Sequence, residues 1–254
     1  MENEIKRQLL LLEEKENITI LFAVESGSRA WGFASPDSDY DIRFVYVRKR
    51  EHYLKLEKTS DVIEIPINGI LDINGWDLKK ALGLLHTSNP TLFEWINSPI
   101  IYMSTPFHAE FQVIINDYFK AKSGLYHYLS TAKSNYREYL KGDMVKAKKY
   151  FYVLRPILAC KWILLENCPP PMLFSQLVDS VLEDNMKSIV KNLLEIKMKT
   201  PEIGEIPMIR ELNEYIEINL EELKLRIGNL ANENTKNWDE LNQLFLNSIN
   251  EYSR

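Results

Sequence analysis

Two apolar runs, Ile18 to Val24 and Ile42 to Val47, flank a polar segment with Gly27-Ser28 near its start and Asp39-Tyr40-Asp41 at its end, ten residues later. Both runs are rich in β-favouring residues and predict buried strands. The glycine–serine turn between them lets backbone N–H groups come close to a phosphate, because glycine has no Cβ in the way. Asp39 and Asp41 are two apart on an extended segment, so their carboxylates project to one side of a sheet. A strand, a phosphate-sized turn and a pair of acids at a strand start make a place for Mg²⁺ and a nucleoside triphosphate.

Either half of this pattern alone is common: glycine–serine turns are frequent, and Asp-x-Asp often marks only a solvated strand end. The full order, strand, Gly-Ser, polar spacer, Asp-x-Asp, strand, resembles the signature of the DNA polymerase β nucleotidyltransferase superfamily. The resemblance implies that the Gly27-Ser28 turn binds the β- and γ-phosphates and that Asp39 and Asp41 hold divalent metals. It also implies a third acid on a neighbouring strand. Asp61 to Ile67 alternates through Ile63, Ile65 and Ile67, with Pro66 marking an edge strand or a bulge. Asn68-Gly69 predicts a tight hairpin turn, and Ile70-Leu-Asp72-Ile73 the return strand. A lone carboxylate among apolar neighbours is costly unless it is paired or binds a metal, which favours Asp72 as the third acid. Glu64 on the partner strand competes with it. Asp77 is the weakest candidate, better suited to the first turn of a helix beginning near Trp76.

The wording around this core narrows the resemblance. Gly27-Ser-Arg-Ala-Trp-Gly-Phe-Ala-Ser-Pro-Asp-Ser-Asp-Tyr-Asp-Ile-Arg-Phe-Val-Tyr46, Asp72-Ile-Asn-Gly-Trp-Asp-Leu-Lys-Lys80, Ser88-Asn-Pro90 with Glu94-Trp95, and Lys149-Tyr-Phe-Tyr-Val-Leu-Arg-Pro156 resemble a nucleotidyltransferase subfamily associated with bacterial and phage RNA-repair pathways and encoded beside RNA ligases. The match runs from about residue 18 to about 180 with no departure at the metal-binding positions. It implies an NTP as substrate, Mg²⁺ or Mn²⁺ as cofactor, an RNA end as favoured acceptor and a functional association with an RNA ligase. A protein hydroxyl or a small molecule as acceptor, a toxin–antitoxin role, and an inactive nucleotide- or RNA-binding module are the competing readings.

The bulk properties are ordinary for a soluble globular protein. The chain has 254 residues, enough for one large domain or two small ones, with 45% hydrophobic and 26% charged residues. No run of 18 apolar residues is present, and the start, Met-Glu-Asn-Glu-Ile-Lys-Arg, lacks the basic-then-apolar order of a signal peptide. Two cysteines, Cys160 and Cys168, make no disulfide framework, and a cytoplasmic protein is expected. The formal charge of −5 argues against tight sequence-independent binding to a nucleic-acid backbone but leaves room for a local basic groove. Four scattered histidines (His52, His86, His108, His127) have no zinc spacing and are expected as surface or partly buried residues. No Walker A loop, dinucleotide glycine motif or Gly-x-Ser-x-Gly elbow occurs.

The organisation is α/β (α+β). A nucleotidyltransferase-type catalytic part with a small mixed sheet is expected over residues 1–105, and an all-helical part over 106–254. Helical periodicity covers Glu2 to Lys15 (Ile5, Leu9, Leu10, Leu12), Gly75 to Leu85, Thr91 to Asn97, and most of the chain after Pro106. Cys168-Pro-Pro-Pro-Met172 is one break there, and Pro201, Gly204 and Pro207 mark another. Met144 to Glu166 reads as a long helix kinked or split at Pro156. Its apolar stripe is Val145, Phe151, Leu154, Leu158, Trp162 and Leu165. Lys148, Tyr152 and Arg155 share another face with Lys149 beside them, either a solvated basic face or a set of triphosphate ligands. Ser28 reads both as a phosphate ligand and as a helix N-cap. Arg29 either reaches the triphosphate or pairs with Glu25 or Asp37. Asp37 is a turn residue; Trp31, Phe33, Trp76 and Trp95 are packing residues. Arg43 either balances the nearby acids or pairs with an acid elsewhere on the sheet.

Overall fold

The structure, a computed structural model, describes residues 1–199, 205–231, 233–234 and 236–253, the side chains of 66–68 and 199 excepted. Helix α1 (Glu2–Glu16) has Glu2 and Glu4 in its first turn and Lys15 in its last, charges that suit the helix dipole. Asn17 ends it in the left-handed conformation, its N–H bonded to the Glu13 carbonyl. Ile5, Leu9 and Leu12 are buried at i, i+4 and i+7, whereas Leu10 turns out to solvent. Strand β1 (Ile18–Glu25) and the short helix α2 (Gly27–Ala30) follow, then strand β2 (Tyr40–Arg48) and helix α3 (Arg50–Tyr53). Strands β3 (Val62–Asn68) and β4 (Leu71–Asp77) form a hairpin. Helices α4 (Leu78–His86) and α5 (Pro90–Ile96), strand β5 (Ile101–Ser104) and helix α6 (Pro106–Ile114), with a 3-10 turn over Ile115–Tyr118, complete this part.

The sheet order is β3-β4-β2-β1-β5, with β2 and β4 parallel and every other neighbour antiparallel. The parallel pair needs no crossover helix. β3 runs back toward the end where β2 starts, the chain turns at Gly69-Ile70, and β4 then slots in beside β2. The starts of β2 and β4 therefore share one end of the sheet. The hairpin turn lies one residue later than Asn68-Gly69, since Asn68 still pairs with Leu71. The ladder is irregular between Ile65 and Asn68, where Pro66 has no N–H to give, and β3 is an edge strand. Strand β5, which the sequence pattern did not signal, forms the other edge.

Gly75, Trp76 and Asp77 belong to β4, not to the helix that their apolar spacing suggested; that helix starts at Leu78. The pairing of Phe44 with Gly75 explains this. A Cβ on Gly75 would lie 2.2 Å from the Phe44 ring, so the glycine makes room for that ring to cross onto β4. Asp77 is the α4 N-cap, accepting from the Lys79 N–H at 2.8 Å. Trp76 stacks on Trp95 at 3.7 Å.

The chain divides into two compact units: Met1–Gly27 with Asp39–Tyr118 and Thr235–Arg254, and Ser28–Ser38 with Phe119–Asn234. The composition change near residue 105 does not coincide with that division. α6 stays with the sheet because Phe22 of β1 stacks on His108 (4.5 Å) and packs on Phe111. Helix α12 (Asp239–Tyr252) also returns to the sheet unit, the Tyr252 carbonyl accepting from Thr19 Oγ1 at 2.9 Å.

The second unit contains α7 (Ala121–Tyr139), β6 (Met144–Lys146), α8 (Ala147–Glu166), α9 (Phe174–Val181), α10 (Asp184–Lys199), β7 (Glu205–Pro207) and α11 (Arg210–Gly228). Among the described residues its regular structure is helical apart from the small antiparallel pair β6–β7. Pro201 and Gly204 lie outside the described residues. Pro156 neither splits nor ends α8, because every residue from Val153 to Cys160 is buried and tertiary packing holds the helix through the missing N–H. The expected stripe changes accordingly: Val145 sits in β6 and Leu165 is exposed. Cys160 and Cys168 are free thiols, and burial pushes the Cys160 thiol up. Phe33 joins this core against Phe151 and Phe174, at 5.1 and 5.4 Å between ring centroids, which is why residues 28–38 belong here.

His108 is buried, beyond the surface or partly buried position expected, and its Nε2 lies 3.2 Å from the Ile96 carbonyl. Burial lowers its pKa below the ordinary 6.5. In the acid range the unfolded chain binds a proton that the folded chain resists, so stability is complete above about 6.5 and falls as pH drops through the folded value. Urea midpoints of the wild-type protein are therefore expected to fall between pH 7 and pH 5, and His108→Gln to flatten that slope. An unchanged slope in the variant would assign the acid sensitivity elsewhere.

Candidate active site

Asp41 and Asp72 are paired residues on the parallel strands β2 and β4, one near the start of each. Paired positions project to the same side of a sheet. Ile42, Phe44 and Tyr46 pack in the α1 core, so Asp41 and Arg43 take the opposite face by alternation. Arg43 joins the two acids: its Nη2 donates to Asp41 Oδ1 at 3.1 Å and to Asp72 Oδ2 at 2.7 Å. Its Nη1 donates at 3.0 Å to the carbonyls of Ile42 and Asp72. The side chains of Arg43, Asp41 and Asp72 retain 18%, 30% and 35% of their exposure, so the cluster stays open to solutes.

A second layer fixes Asp41 from behind. Its N–H donates to Glu25 Oε1 at 2.6 Å, and its carbonyl accepts from the Ser26 N–H at 2.8 Å. Glu25 is fully buried at the end of β1; its other oxygen accepts from the Tyr102 hydroxyl, and its carbonyl from Ser98 Oγ at 2.6 Å. Sequence reasoning treated Glu25 only as a partner for Arg29. The available signal was an acid closing an otherwise apolar strand, which is costly unless it is hydrogen-bonded. Gly27, at φ +59°, completes this layer: a Cβ there would lie 2.0 Å from Asp41 Oδ2.

Among the other acids, Asp39 is exposed one residue ahead of β2. Glu64 pairs with Asn74 and accepts from its Nδ2 at 3.0 Å. Asp77 stands at the far end of β4 and is spent on its helix cap and on the Tyr53 hydroxyl at 2.9 Å. Burial raises the Asp77 pKa.

Within the second unit, Ser28 is buried and its carbonyl accepts from the Phe33 N–H at 3.0 Å. Arg29 Nη2 donates to the Ser38 carbonyl at 2.6 Å, closing the 28–38 loop on itself. Arg155 is not on a solvated face: it is buried, its guanidinium 4.5 Å from the Trp31 ring centroid and 3.8 Å from Met172 Sδ. Lys149 lies over the Tyr139 ring at 3.4 Å and near Tyr152 at 5.1 Å; Lys148 is half-buried. Tyr152 meets Trp31 edge-on at 6.1 Å. Lys149, Tyr152 and Arg155 are thus engaged with aromatic rings, with Arg155 buried and Lys148 half-buried.

The donor set at the β2–β4 end suits a hard divalent cation. Mg²⁺ commonly keeps several waters and is held by one or two carboxylates together with substrate phosphates. Asp41 and Asp72 supply two carboxylates that already converge on a single cationic nitrogen. Among the described residues no group of three or more His, Cys, Asp and Glu is placed to hold a metal, so Asp39 does not complete a three-acid cluster in this structure.

Residues 1–247 match the family described as the RNA repair pathway DNA polymerase beta family. The uncharacterized protein YcgL of Bacillus subtilis (strain 168) is 43% identical over 253 residues, spanning 99% of this chain and 97% of that protein. Among solved structures, a nucleotidyltransferase-like protein from Exiguobacterium sibiricum 255-15 aligns with a TM-score of 0.33 at 10% identity, covering 88% of this chain and 74% of that one.

Proposed function

The chain belongs to the RNA repair pathway DNA polymerase beta family, and from that premise we propose that it is a metal-dependent nucleotidyltransferase joining a nucleoside monophosphate from an NTP to an acceptor hydroxyl. The observation that carries this reading is the in-register Asp41–Asp72 pair, held beside the Gly27 turn at a partly exposed end of a mixed sheet. The acceptor oxygen forms a bond to the α-phosphorus, the bond to the β-phosphate oxygen breaks, and pyrophosphate leaves. Asp41 and Asp72, with Asp39 two residues ahead of Asp41, would hold Mg²⁺ or Mn²⁺, which would neutralise triphosphate charge and acidify the attacking hydroxyl. Asp72 takes the proton from that hydroxyl. Glu25, Ser26 and Gly27 fix the Asp41 backbone and leave room for its carboxylate. In this reading Ser28 and Arg29 contact the triphosphate through their turn.

An RNA end is the acceptor we favour, because the family is described by RNA repair; a functional association with an RNA ligase is proposed from the sequence resemblance alone. A cytoplasmic site of action belongs to this proposal, and no described helix is long and apolar enough to cross a membrane. The test supplies each of four α-labelled NTPs, with Mg²⁺ or with EDTA, to the protein mixed with total RNA or with cell extract. Ribonuclease-sensitive label that disappears with EDTA is the expected result. Label on protein or on a small molecule would move the acceptor to that class. No transfer from any NTP in the presence of Mg²⁺ would overturn the enzymatic reading.

A further inference from the structure

We propose that the Arg43 guanidinium is a built-in competitor for the divalent cation, holding the Asp41–Asp72 pair until a metal displaces it and thereby setting how tightly the chain binds metal. The inference rests on the metal-site reading above and goes further, because it assigns a role to a residue that is itself no metal ligand. Two carboxylates facing each other across paired strands repel, and one must be neutralised or both must share a cation. In this structure that cation is internal. One nitrogen, Arg43 Nη2, contacts an oxygen of each acid, at 3.1 and 2.7 Å. A divalent ion that draws on both carboxylates competes for the same oxygens.

The geometry also explains how Arg43 gives way without loss of the fold. Its second nitrogen is tied to the backbone carbonyls of Ile42 and Asp72, both at 3.0 Å, and these bonds do not depend on the carboxylates. A planar fork anchored on one prong and exchanging on the other suits a guanidinium and not an ammonium, which is a point charge on a flexible stem. The ion pairs are partly exposed, so the attraction to be given up is modest. The expected consequence is a chain that binds metal weakly by itself and more tightly once the charge at position 43 is gone, roughly tenfold for two such pairs. The alternative is a purely structural ion pair joining β2 to β4. That role predicts a loss of stability on removing Arg43, with metal affinity unchanged or lower.

The test is direct titration with Mn²⁺, reading the free aqua ion by electron paramagnetic resonance, with no nucleotide and no turnover. Wild type, Arg43→Gln, Arg43→Lys, Asp72→Asn and the double variant Arg43→Gln/Asp72→Asn are compared, and circular dichroism reports their folding. Tighter Mn²⁺ binding by Arg43→Gln, a smaller gain for Arg43→Lys and loss of the gain in the double variant are expected. Equal or weaker binding by folded Arg43→Gln, with binding still lost on Asp72→Asn, would overturn the competitor role and leave the metal site standing. Binding that is insensitive to Asp72 in every background would overturn both. If Arg43→Gln fails to fold, Arg43→Lys carries the comparison: affinity no tighter than wild type overturns the proposal.

Discussion

Asp72→Asn is expected to lower nucleotidyl transfer by roughly 10³-fold or more while the protein stays folded, because the change removes a metal-holding charge and a proton acceptor together. Asparagine keeps the size of the side chain and its position opposite Asp41 on the paired strand. It keeps an oxygen that can still accept from Arg43 but carries no negative charge. The comparison that gives this result meaning is Glu64→Gln. Glu64 also lies on a strand of the hairpin and was the rival third acid, yet it accepts from Asn74 Nδ2 and pairs with Asn74, two positions along β4 from Asp72. Glu64→Gln is therefore expected to retain most of the activity. Rates from labelled NTP, with thermal melts of both variants, decide between the acids: a severe loss in Glu64→Gln with a mild one in Asp72→Asn would exchange their roles.

The strands carrying Asp41 were legible because β-branched runs bounded by glycine, serine and aspartate have few other outcomes. That Asp72 would meet Asp41 was less so. The meeting depends on which strand of the hairpin lies beside β2, and the parallel placement of β4 is a tertiary outcome that no local periodicity encodes. Gly75 to Asp77 was misread for a related reason: Trp76, Leu78, Ala81 and Leu82 have helical spacing, yet Phe44 needs the bare backbone of Gly75 beneath it, and that holds the segment in the sheet. Arg155 illustrates the opposite failure. Spacing put it on a face with Lys148 and Tyr152, but spacing carries no information about depth, and Trp31, far away in sequence, covers it. Glu25 and Arg43 were visible as charges beside the motif. Their partners were not, since Tyr102 and Asp72 come from segments that only the folded sheet brings near.

Gly27→Ala is expected to lower activity by about 10²-fold or more at a stability cost of only about 1–2 kcal/mol, the usual penalty for a side chain in the left-handed region. Gly27 has φ +59°, and a Cβ placed there lies 2.0 Å from Asp41 Oδ2 and 3.0 Å from Asp41 Cγ. Something must move. The Asp41 backbone is the less free of the two, since Glu25 holds its N–H and Ser26 its carbonyl. The carboxylate is the flexible end, so it swings away from Gly27 and gives up its 3.1 Å contact with Arg43. The fold survives that movement because a side-chain terminus yields at little cost, but the pair of acids no longer faces one cation. Positioning errors of about 1 Å are enough to reduce catalysis by this order. Two measurements check it together: kcat/KM from labelled NTP, expected to collapse, and the urea midpoint, expected to shift only slightly. A variant that keeps full activity would show that the carboxylate of Asp41 works from a different rotamer. One that simply unfolds would show that the turn matters to the fold ahead of the chemistry.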